Sequence, residues 1–334
     1  MVRYDVYGVG NALVDIQVQV DAEFLALHGL NKGVMTLVTA RAQKELLALL
    51  SGRPSQTSPG GSACNTTVGL ANFGGRAYYA GKVGDDEHGR FFQKALTEVG
   101  IQSTVPRGHG ATGTCLVMIT PDADRTMQTC LAASIELDED DIQPAIIKES
   151  GYVYIEGYLW DSPGPRRASQ KAVDLARHHG VPVAYTYSDP FCVKRSAEDF
   201  RNLSQFSVDL VFCNEEEARM LTANPDRAQA CAEIASWGPT VFMTAGADGA
   251  YYARGKEQGH IPPFTVRAID TNGAGDLFAG GVLYGLTHGL SLAQAGKLGS
   301  YAAARVVTVL GPRLNEPLQG RIQEIMNLAP GSAL

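Results

Sequence analysis

The chain has 334 residues, of which 45% are hydrophobic, a formal net charge of -7 and a sequence pI near 5.5. That size and composition allow a large buried core, in one α/β domain or in one domain with a small appendage. The acidic balance, without any cluster of Lys or Arg, excludes a basic surface for nucleic acid. The N-terminus has the pattern of a strand and no apolar run is long enough to cross a membrane, so we expect a cytoplasmic protein without a membrane partner.

Common catalytic and nucleotide-binding motifs are absent from the sequence. The six cysteines show no C-x-x-C spacing, so we predict reduced and mostly buried thiols. There is no H-E-x-x-H zinc motif and no G-x-S-x-G nucleophile elbow. A G-x-x-x-x-G-K-[ST] loop is also missing, and "GVGNAL" lacks the third glycine of a dinucleotide fingerprint. These gaps count against protease, esterase, P-loop and dinucleotide-binding functions.

Predicted strands and helices alternate along most of the chain. Strand patterns include "YDVYGVG", "AYYAGKVG", "YVYIEG", "PVAYTY", "VDLVFC", "PTVFMTAG" and "GAYYAR". Helical spacing occurs in "AQKELLALLSG", "HGRFFQKALTEVG", "PRRASQKAVDLARHHG", "NEEEARMLT" and "RAQACAEIASWG". This alternation predicts a mostly parallel sheet with helices on both faces, and ligands at the carboxyl ends of its strands.

Two β-rich segments interrupt the alternation, at residues 13–38 and 105–130, and "PDADR" in the second one is typical of a hairpin turn. We predict that these segments form a small sheet that leaves the main layer and acts as a lid. Residues 1–12, 39–104 and 131–334 would then form the core that binds nucleotide and substrate.

A first glycine-rich motif, "DTNGAGDLFAGG" at residues 270–281, follows the β-like run "PFTVRAI" and precedes a helical stretch. Gly273 and Gly275 allow a ligand to approach the backbone, and the helix start offers unpaired N–H groups and a positive dipole end to an anion. Asp276 would lie beside that anion and could take a proton from a hydroxyl. The alternative is a tight turn in which Asp276 only complements the helix dipole. Two further glycines within the helical stretch are expected to allow close helix packing.

A second glycine-rich motif, "SPGGSACNTTVGLANFGG" at residues 58–75, also precedes a helical stretch. Gly60 and Gly61 allow close backbone approach, and the amide of Asn65 is both donor and acceptor, which suits a vicinal diol better than a phosphate. The alternative is a loop in which Ser62 or Asn65 caps the helix.

Three more polar residues are candidates for ligand contacts. Asn11 and Asp15 stand in the otherwise apolar "GNALVDI", where Asp15 could instead form a turn. Arg125 in "DADRTM" is a cation on the predicted lid, which would serve transferring phosphates if the lid closes and would otherwise be a solvated turn residue.

Two motifs in the second half allow both a structural and a ligand-binding interpretation. Asn214 and Glu217 in "CNEEEARML" have the spacing of a capping box, and the same side chains at a strand end would suit Mg²⁺. Thr244, Gly246 and Gly249 in "VFMTAGADGAYY" form either a plain hairpin turn or a wall that receives a nucleotide.

The segments 60–89 and 270–283 resemble the two signatures of the ribokinase-like, or PfkB, carbohydrate kinases, and the resemblance extends along nearly the whole chain. The runs "GNALVDI", "GTCLVMIT", "YSDPF", "NEEEA" and "DTNGAGD" occur in the order of the branch that phosphorylates adenosine. The resemblance implies a three-layer α/β/α core with a mostly parallel central sheet and a small β-sheet lid. It also implies ATP-dependent transfer of the γ-phosphoryl group to the 5′-hydroxyl of adenosine, with Mg²⁺ and K⁺.

The resemblance assigns roles to individual residues. Asp276 would be the general base, Arg125 would reach the phosphates from the lid, and the anion hole would consist of the N–H groups of Asn272, Gly273, Ala274 and Gly275. Ribose hydroxyls would be bound by Asn11, Asp15, Gly60, Gly61 and Asn65. The nucleotide site would be lined by Asn214, Thr244, Gly246 and Gly249, with Asn214 and Glu217 organising Mg²⁺, partly through water.

The acceptor is less well defined by the sequence than the reaction is. Apolar candidates for an adenine pocket, which could equally be lid core, are Leu13, Met35, Leu37, Leu116, Met118, Leu131, Tyr158 and Phe191. Asp189 in "YSDPF" introduces a carboxylate that could change the polarity of the pocket. The alternatives are a PfkB-type kinase of ribose, fructose or a related sugar, a broader nucleoside kinase acting on inosine or guanosine, and a catalytically silent ligand-binding homologue. We expect a monomer or a homodimer.

Overall fold

The computed structural model describes residues 2–329 and 331–334. Nine strands form the main sheet, and in their order across it they are β14 (Glu257–Ile261), β13 (Ala250–Arg254), β12 (Thr240–Thr244), β11 (Leu210–Asn214), β10 (Val183–Thr186), β9 (Ser150–Glu156), β1 (Tyr4–Val9), β5 (Ala77–Ala80) and β6 (Gln102–Thr104). Every pairing from β12 to β6 is parallel, and β13 and β14 pair antiparallel at one edge. The predicted mostly parallel central sheet is confirmed.

A second sheet of five strands lies apart from the main sheet. Its strands, in order, are β3 (Met35–Leu37), β8 (Arg125–Cys130), β7 (Gly113–Ile119), β2 (Leu13–Gln19) and β4 (Ser55–Gly60). Strands β7 and β8 form the predicted hairpin, with Ile119 opposite Arg125. The small sheet is therefore confirmed, and we use that name for these five strands.

Helices cover both faces of the main sheet. They are α1 (Ala22–Leu27), α2 (Ala40–Leu49), α3 (Ser62–Asn72), α4 (Glu87–Glu98), α5 (Pro144–Lys148), α6 (Pro163–His179), α7 (Pro190–Phe206), α8 (Glu215–Thr222), α9 (Arg227–Ser236), α10 (Ala274–Thr287), α11 (Leu292–Val306) and α12 (Ile322–Asn327). Successive strand residues point to opposite faces, so Tyr7 packs with residues of α5 to α9 while Val6 packs with residues of α3, α4, α10 and α11. The core has the predicted three layers.

Strand β4 differs from the sequence prediction, which assigns residues 39–104 to the core. Its sequence "SQTSPG" is mostly polar, so no alternation of apolar residues marks it as a strand. It joins the small sheet by backbone pairing with β2, in which Ser58 lies opposite Asp15. Conversely, Arg107 comes from the segment that the sequence assigns to the lid, yet it forms an isolated bridge with Val83 beside the main sheet.

Two further local predictions are corrected. The β-like run "PFTVRAI" is no strand, and only Thr265 forms an isolated bridge, with Ala333. The adjacent prolines at 262 and 263 lack the N–H groups that a sheet ladder requires. Within the β-rich segment 13–38, residues 22–27 form α1, which the side chain of Asp21 caps by accepting a hydrogen bond from the N–H of Phe24.

The prediction of reduced, mostly buried thiols is met by the structure. All six cysteines are free and buried, as expected of thiols in a large core. Among the described residues, no helix combines the length and the apolar character needed to cross a bilayer.

Candidate active site

A cavity of about 490 Å³ opens where the small sheet faces the carboxyl edge of the main sheet. The main sheet contributes the strand ends at Glu156, Thr186, Asn214 and Thr244, and the small sheet contributes Asp15 and Arg125 among others. This is the edge at which an α/β sheet is expected to bind ligands.

The structure brings most of the predicted site residues to this cavity. Those that line it are Asn11, Asp15, Gly61, Asn65, Arg125, Asn214, Glu217, Thr244, Gly246, Asn272, Gly273, Ala274, Gly275 and Asp276. Gly60 and Gly249 are the exceptions, since neither belongs to the described lining. A Cβ on Gly60 would come within 2.1 Å of Asp15 Oδ1, and one on Gly249 within 2.2 Å of the Ile261 carbonyl oxygen. These two glycines make room for neighbours rather than for a ligand.

The first glycine motif forms the start of helix α10, where the prediction places an anion. Gly273 is the N-cap of α10 with a left-handed φ of 76°, and a Cβ there would lie 2.4 Å from the Pro312 carbonyl oxygen. The first helical hydrogen bond runs from the Leu277 N–H to the Gly273 carbonyl, at 2.9 Å. Within the described chain, the N–H groups of Gly275 and Asp276 therefore have no backbone acceptor. They belong to residues that line the cavity, where an anion could accept from them.

The backbone N–H of Asn272 does not belong to this anion hole, contrary to the prediction. It donates to Asp270 Oδ1 at 2.8 Å, and the other carboxylate oxygen of Asp270 accepts from the Gly311 N–H at 2.8 Å. Asp270 is fully buried and so depends on both donors. Asp270 therefore shapes the turn, and the N–H of Asp276, which has no backbone acceptor in the described chain, is a donor that could replace that of Asn272.

The Asp276 carboxylate is held from both sides by the second glycine motif. Its Oδ1 accepts from Ser62 Oγ at 2.7 Å and its Oδ2 accepts from Asn65 Nδ2 at 3.0 Å. Burial raises the pKa of Asp276 above its ordinary value, while the two hydrogen bonds and the charges of Arg125 and Arg313 act in the opposite direction. A fixed carboxylate with a raised pKa is suited to accept a proton from a hydroxyl.

Ser62 is thus a partner of Asp276 rather than a helix cap. The N-cap of α3 is Gly61, with a φ of 91° and no capping side chain, so the capping alternative for Ser62 or Asn65 is wrong. A Cβ on Gly61 would lie 2.1 Å from the Asn11 carbonyl oxygen, which explains the need for glycine there.

Asp15 lies inside strand β2, so the interpretation as a turn former is also wrong. It is 5% exposed, and burial raises its pKa to about 7 although the Asn272 amide donates to Oδ2 at 3.2 Å. Among the described residues, Asn272 is the only donor to this carboxylate, so a ligand hydroxyl that donates to it would stabilise its charged form.

Glu156 is a site residue that the sequence reasoning misses. It ends β9 fully buried and accepts from the Asn11 N–H at 2.9 Å, from Asn11 Nδ2 at 3.2 Å and from the Ala63 N–H at 2.6 Å. Burial raises its pKa to about 7. The sequence feature that could have revealed Glu156 is that it is the single carboxylate near the end of the apolar run "YVYIEG". Asn11 Oδ1, buried beside it, has no hydrogen-bond partner in the described part of the chain.

Asn214 and Glu217 form the predicted capping box at the start of α8. Asn214 Oδ1 accepts from the Glu217 N–H at 2.8 Å, and Glu217 Oε2 accepts from the Asn214 N–H at 2.9 Å. Burial raises the pKa of Glu217 to about 8. Both residues also line the cavity. No group of three or more His, Cys, Asp or Glu side chains arranged to hold a metal occurs among the described residues.

The chemistry of this pair fits a hydrated Mg²⁺ better than a directly coordinated one. Each Glu217 oxygen already accepts a hydrogen bond from Asn214, the second from Nδ2 to Oε1 at 2.9 Å. The lone pairs that remain could accept from the water shell that Mg²⁺ gives up reluctantly.

Arg125 connects the two sheets. It begins β8 and donates from Nη1 to the Thr271 carbonyl at 2.6 Å, while Thr271 Oγ1 donates to the Ala123 carbonyl at 3.3 Å. On the opposite wall, Thr244 ends β12 and Gly246 begins the turn to β13 with a φ of 57°. This turn is the hairpin turn that the sequence allows, and it also lines the cavity.

The apolar candidates separate into two sets. Leu13, Met35, Leu37, Leu131 and Tyr158 line the cavity, together with Met127 and Cys115. Leu116 and Met118 pack instead with Phe24 in the core of the small sheet. Phe191 is 37% exposed, and Asp189 caps α7 by accepting from the Phe191 N–H at 2.8 Å. Burial raises the pKa of Asp189, which is not among the described residues that line the cavity.

Comparison with known proteins decides the family. The family model for pfkB carbohydrate kinases matches residues 35–318. The chain belongs to the pfkB family. It is therefore a phosphotransferase that acts on a hydroxyl of a sugar or nucleoside, and the kinase family implies ATP as the donor.

Both nucleoside and sugar kinases of this family are similar to the chain. The crystal structure of adenosine kinase from Sinorhizobium meliloti has a TM-score of 0.93 and 36% identity, with 96% of this chain and 99% of that chain covered. A probable sugar kinase from Rhizobium etli CFN 42 has a TM-score of 0.94 and 37% identity, with 98% and 100% covered. Adenosine kinase of Saccharomyces cerevisiae is 28% identical over 91% of this chain and 95% of its own length.

Proposed function

We propose that this pfkB kinase transfers the γ-phosphoryl group of ATP to the 5′-hydroxyl of adenosine, giving AMP and ADP. The observation that carries the proposal is the set of apolar residues that line the cavity, in which Leu13, Met35 and Met127 of the small sheet are joined by Leu131 and Tyr158. Such walls suit a flat, largely apolar ring. A free sugar has hydroxyls around its ring, and apolar walls would leave several of them without hydrogen bonds.

The polar end of the cavity supplies the chemistry. Asp15 and Asn11 would bind ribose hydroxyls, and Asp276 would take the proton from the 5′-hydroxyl. The 5′-oxygen then forms a bond to the γ-phosphorus, the bond from that phosphorus to the β,γ-bridging oxygen breaks, and ADP leaves with that electron pair. The N–H groups of Gly273, Gly275 and Asp276 would stabilise the charge on the transferring group. The N–H of Ala274 would add to them by exchanging its long hydrogen bond to the Thr271 carbonyl, at 3.4 Å, for one to the phosphoryl group.

The remaining predicted roles complete the proposal. Mg²⁺, when bound, neutralises charge on the nucleotide phosphates, and Asn214 and Glu217 would hold its water shell. Arg125 would place a positive charge near the phosphates from the small sheet, which acts as a lid that excludes water. Thr244 and Gly246 would form a wall of the ATP site. A requirement for K⁺ stays a prediction, because carbonyl ligands leave no side-chain pattern to examine.

A substrate panel coupled to ADP release tests the choice of acceptor. We expect kcat/KM to be highest for adenosine among adenosine, inosine, guanosine, ribose and fructose. The second candidate is a sugar kinase, which the 37% identity to the probable sugar kinase from Rhizobium etli CFN 42 supports. Strong turnover of a free sugar with none of any nucleoside would replace the adenosine proposal by that candidate.

Asp276→Asn tests the role of the base. We expect kcat to fall by about 10²-fold or more, because the amide cannot accept the proton. Calorimetry should show that adenosine still binds. Asp85→Asn is a matched control, since the Asp85 side chain is 75% exposed and lies outside the described lining. If Asp276→Asn turns over at the wild-type rate, Asp276 is not the base.

A further inference from the structure

Residues 311–313, which lie outside both glycine motifs, form a loop that contacts each of them. The Gly311 N–H donates to Asp270 at 2.8 Å. The Pro312 carbonyl lies directly below Gly273, where it leaves no room for a Cβ. Arg313 points to the other motif and donates from Nε to Asn65 Oδ1 at 2.9 Å. Three consecutive residues therefore connect the start of α10 with the start of α3.

Arg313 holds one particular orientation of the Asn65 amide. Because the guanidinium donates to Oδ1, the amide nitrogen faces Asp276 and donates to Oδ2 at 3.0 Å. A flipped amide would place Nδ2 against the guanidinium donors and Oδ1 against the carboxylate, and both contacts would be repulsive. Asn65 is 3% exposed, so it has no solvent to compensate for such a flip.

The other contacts of Arg313 fix its own position. Nη2 donates to Cys64 Sγ at 3.1 Å and lies 3.4 Å from the Gly60 carbonyl oxygen. Arg313 is not one of the described residues that line the cavity, so it does not reach a ligand there. Its hydrogen-bonded influence on Asp276 therefore passes through Asn65, while its positive charge also acts on Asp276 directly.

We propose that Arg313 is a positioning residue that orients Asn65, and through Asn65 holds the Asp276 carboxylate in place for proton removal. The inference rests on the proposed role of Asp276 as the base. The active site would then include, besides the two glycine motifs, the guanidinium of a residue from a separate loop. Arg313→Ala should lower kcat/KM by about tenfold or more, because the interaction between two residues of one hydrogen-bond network commonly changes an equilibrium or rate by that factor.

A pH profile separates this role from a purely structural one. The charged and titratable groups around Asp276 are Asp15, Cys64, Tyr154, Glu156 and Tyr158, with Arg125 and Arg313 as the cations. Removal of Arg313 takes away a positive charge and loosens a donor to the carboxylate, and both changes raise the pKa of Asp276. The acid limb of kcat/KM should shift to higher pH, so the loss of activity should be larger at pH 6 than at pH 9.

A double-mutant cycle with Asn65→Ala tests the route of the effect. If Arg313 positions Asp276 through Asn65, Arg313→Ala should lower activity much less in the Asn65→Ala background than in the wild type, with only the direct effect of the lost charge remaining. Arg254→Ala is the control, since Arg254 pairs with Glu257 at the end of an outer hairpin and its side chain is 58% exposed. Losses that multiply in the double variant, or an Arg313→Ala profile with the wild-type acid limb, would overturn the inference.

Two further choices keep the test decisive. If Arg313→Ala does not fold, Arg313→Lys replaces it, because lysine keeps the charge but lacks the planar fork, and it should lose about threefold or more. Unchanged kcat/KM in that variant would equally refute the role. Activity is measured with whichever acceptor the substrate panel selects, so a wrong acceptor does not affect the outcome. Failure of the base role itself shows separately, as unchanged turnover of Asp276→Asn.

Discussion

Three buried carboxyl groups at the cavity lower the free energy of unfolding when they are ionised. Burial raises the pKa of Asp15 and Glu156 to about 7 and that of Glu217 to about 8. In the folded state each keeps its proton to a higher pH than in the unfolded state. Their contribution to stability is therefore fully present below about pH 4 and is lost as pH rises through 7 to 8. Surface carboxyls such as Asp122, whose pKa is lowered to about 2, have the opposite effect: their contribution to stability is present above about pH 4 and is lost only as the pH falls towards 2.

Asp15→Asn should remove part of this pH dependence. Without ligands, we expect the free energy of unfolding of the wild type to fall between pH 5 and pH 8 and that of the variant to fall less. At pH 8 the variant should be more stable by about 1–4 kcal/mol, on the order of the free energy that corresponds to the pKa shift. Urea unfolding at both pH values measures the difference. The same variant should bind adenosine more weakly, since it loses the charged acceptor for a ribose hydroxyl.

Asp174→Asn is the matched control for this experiment, because Asp174 is exposed on α6. Its pH dependence should follow that of the wild type. Equal slopes for Asp15→Asn and the wild type would show that Asp15 is not a protonated, buried carboxyl in the free protein.

At the scale of elements, the packing of α10 explains the two glycines inside that helix. A Cβ on Gly280 would lie 2.6 Å from the Thr66 carbonyl oxygen of α3, and one on Gly281 would lie 2.8 Å from Gly299 Cα of α11. The expectation of close helix packing is confirmed. This contact brings α3 and α10 close enough for Ser62 and Asn65 to reach Asp276.

Gly280→Ala and Gly275→Ala form a matched pair that separates packing from ligand approach. Gly280→Ala should destabilise the protein by about 1–3 kcal/mol, because the methyl group meets rigid backbone. A Cβ on Gly275 meets no described atom within 4 Å, so Gly275→Ala should leave stability unchanged or raise it by up to about 1 kcal/mol. Its methyl group would narrow the anion hole and lower kcat, which a steady-state assay would detect. A Gly275→Ala variant with full activity would show that no ligand approaches there.

The sequence predicts elements well where side chains carry the signal. The buried parallel strands have continuous apolar runs, and helices such as α4 and α6 have clear spacing, so these were predicted. The long helices α7 and α11 were not among the predicted segments. Strands β4 and β14 were not found, because "SQTSPG" and "EQGHI" are polar edge strands whose pairing depends on backbone hydrogen bonds with a neighbour. Backbone pairing of this kind leaves little trace in the residue types.

At the scale of the whole molecule, the site is assembled from distant parts of the chain. Asn65 and Asp276 are 211 residues apart, and Asn65 and Arg313 are 248 apart. The glycine motifs reveal the first pair because Gly-rich helix starts have a recognisable pattern. Arg313 acts by contact with those motifs and has no pattern of its own, and Glu156 has only the weak signal of a carboxylate that ends an apolar strand, so the three-dimensional structure is needed to show their place.

The connection between the two sheets leads to a prediction about ligand binding. Arg125 of the small sheet donates to the Thr271 carbonyl beside the anion hole, and the apolar wall of the cavity belongs to the same sheet. A ligand that fills the cavity would therefore contact both sheets and stabilise their closed arrangement. We expect adenosine with a non-hydrolysable ATP analogue to slow amide hydrogen exchange in β7 and β8 more than in β11 and β12 of the main sheet.

Hydrogen exchange measured by mass spectrometry checks this lid role, with Arg125→Ala as the comparison variant. Arg125→Ala removes the hydrogen bond from the small sheet to Thr271 and the cation that we propose for the phosphates, so ligand-induced protection of β7 and β8 should be weaker than in the wild type. Protection should be unchanged in Arg254→Ala, whose arginine pairs with Glu257 on the outer edge of the main sheet. Equal exchange in β7 and β8 with and without ligands would show that the small sheet is a fixed wall, and water would then have to be excluded by the rest of the cavity.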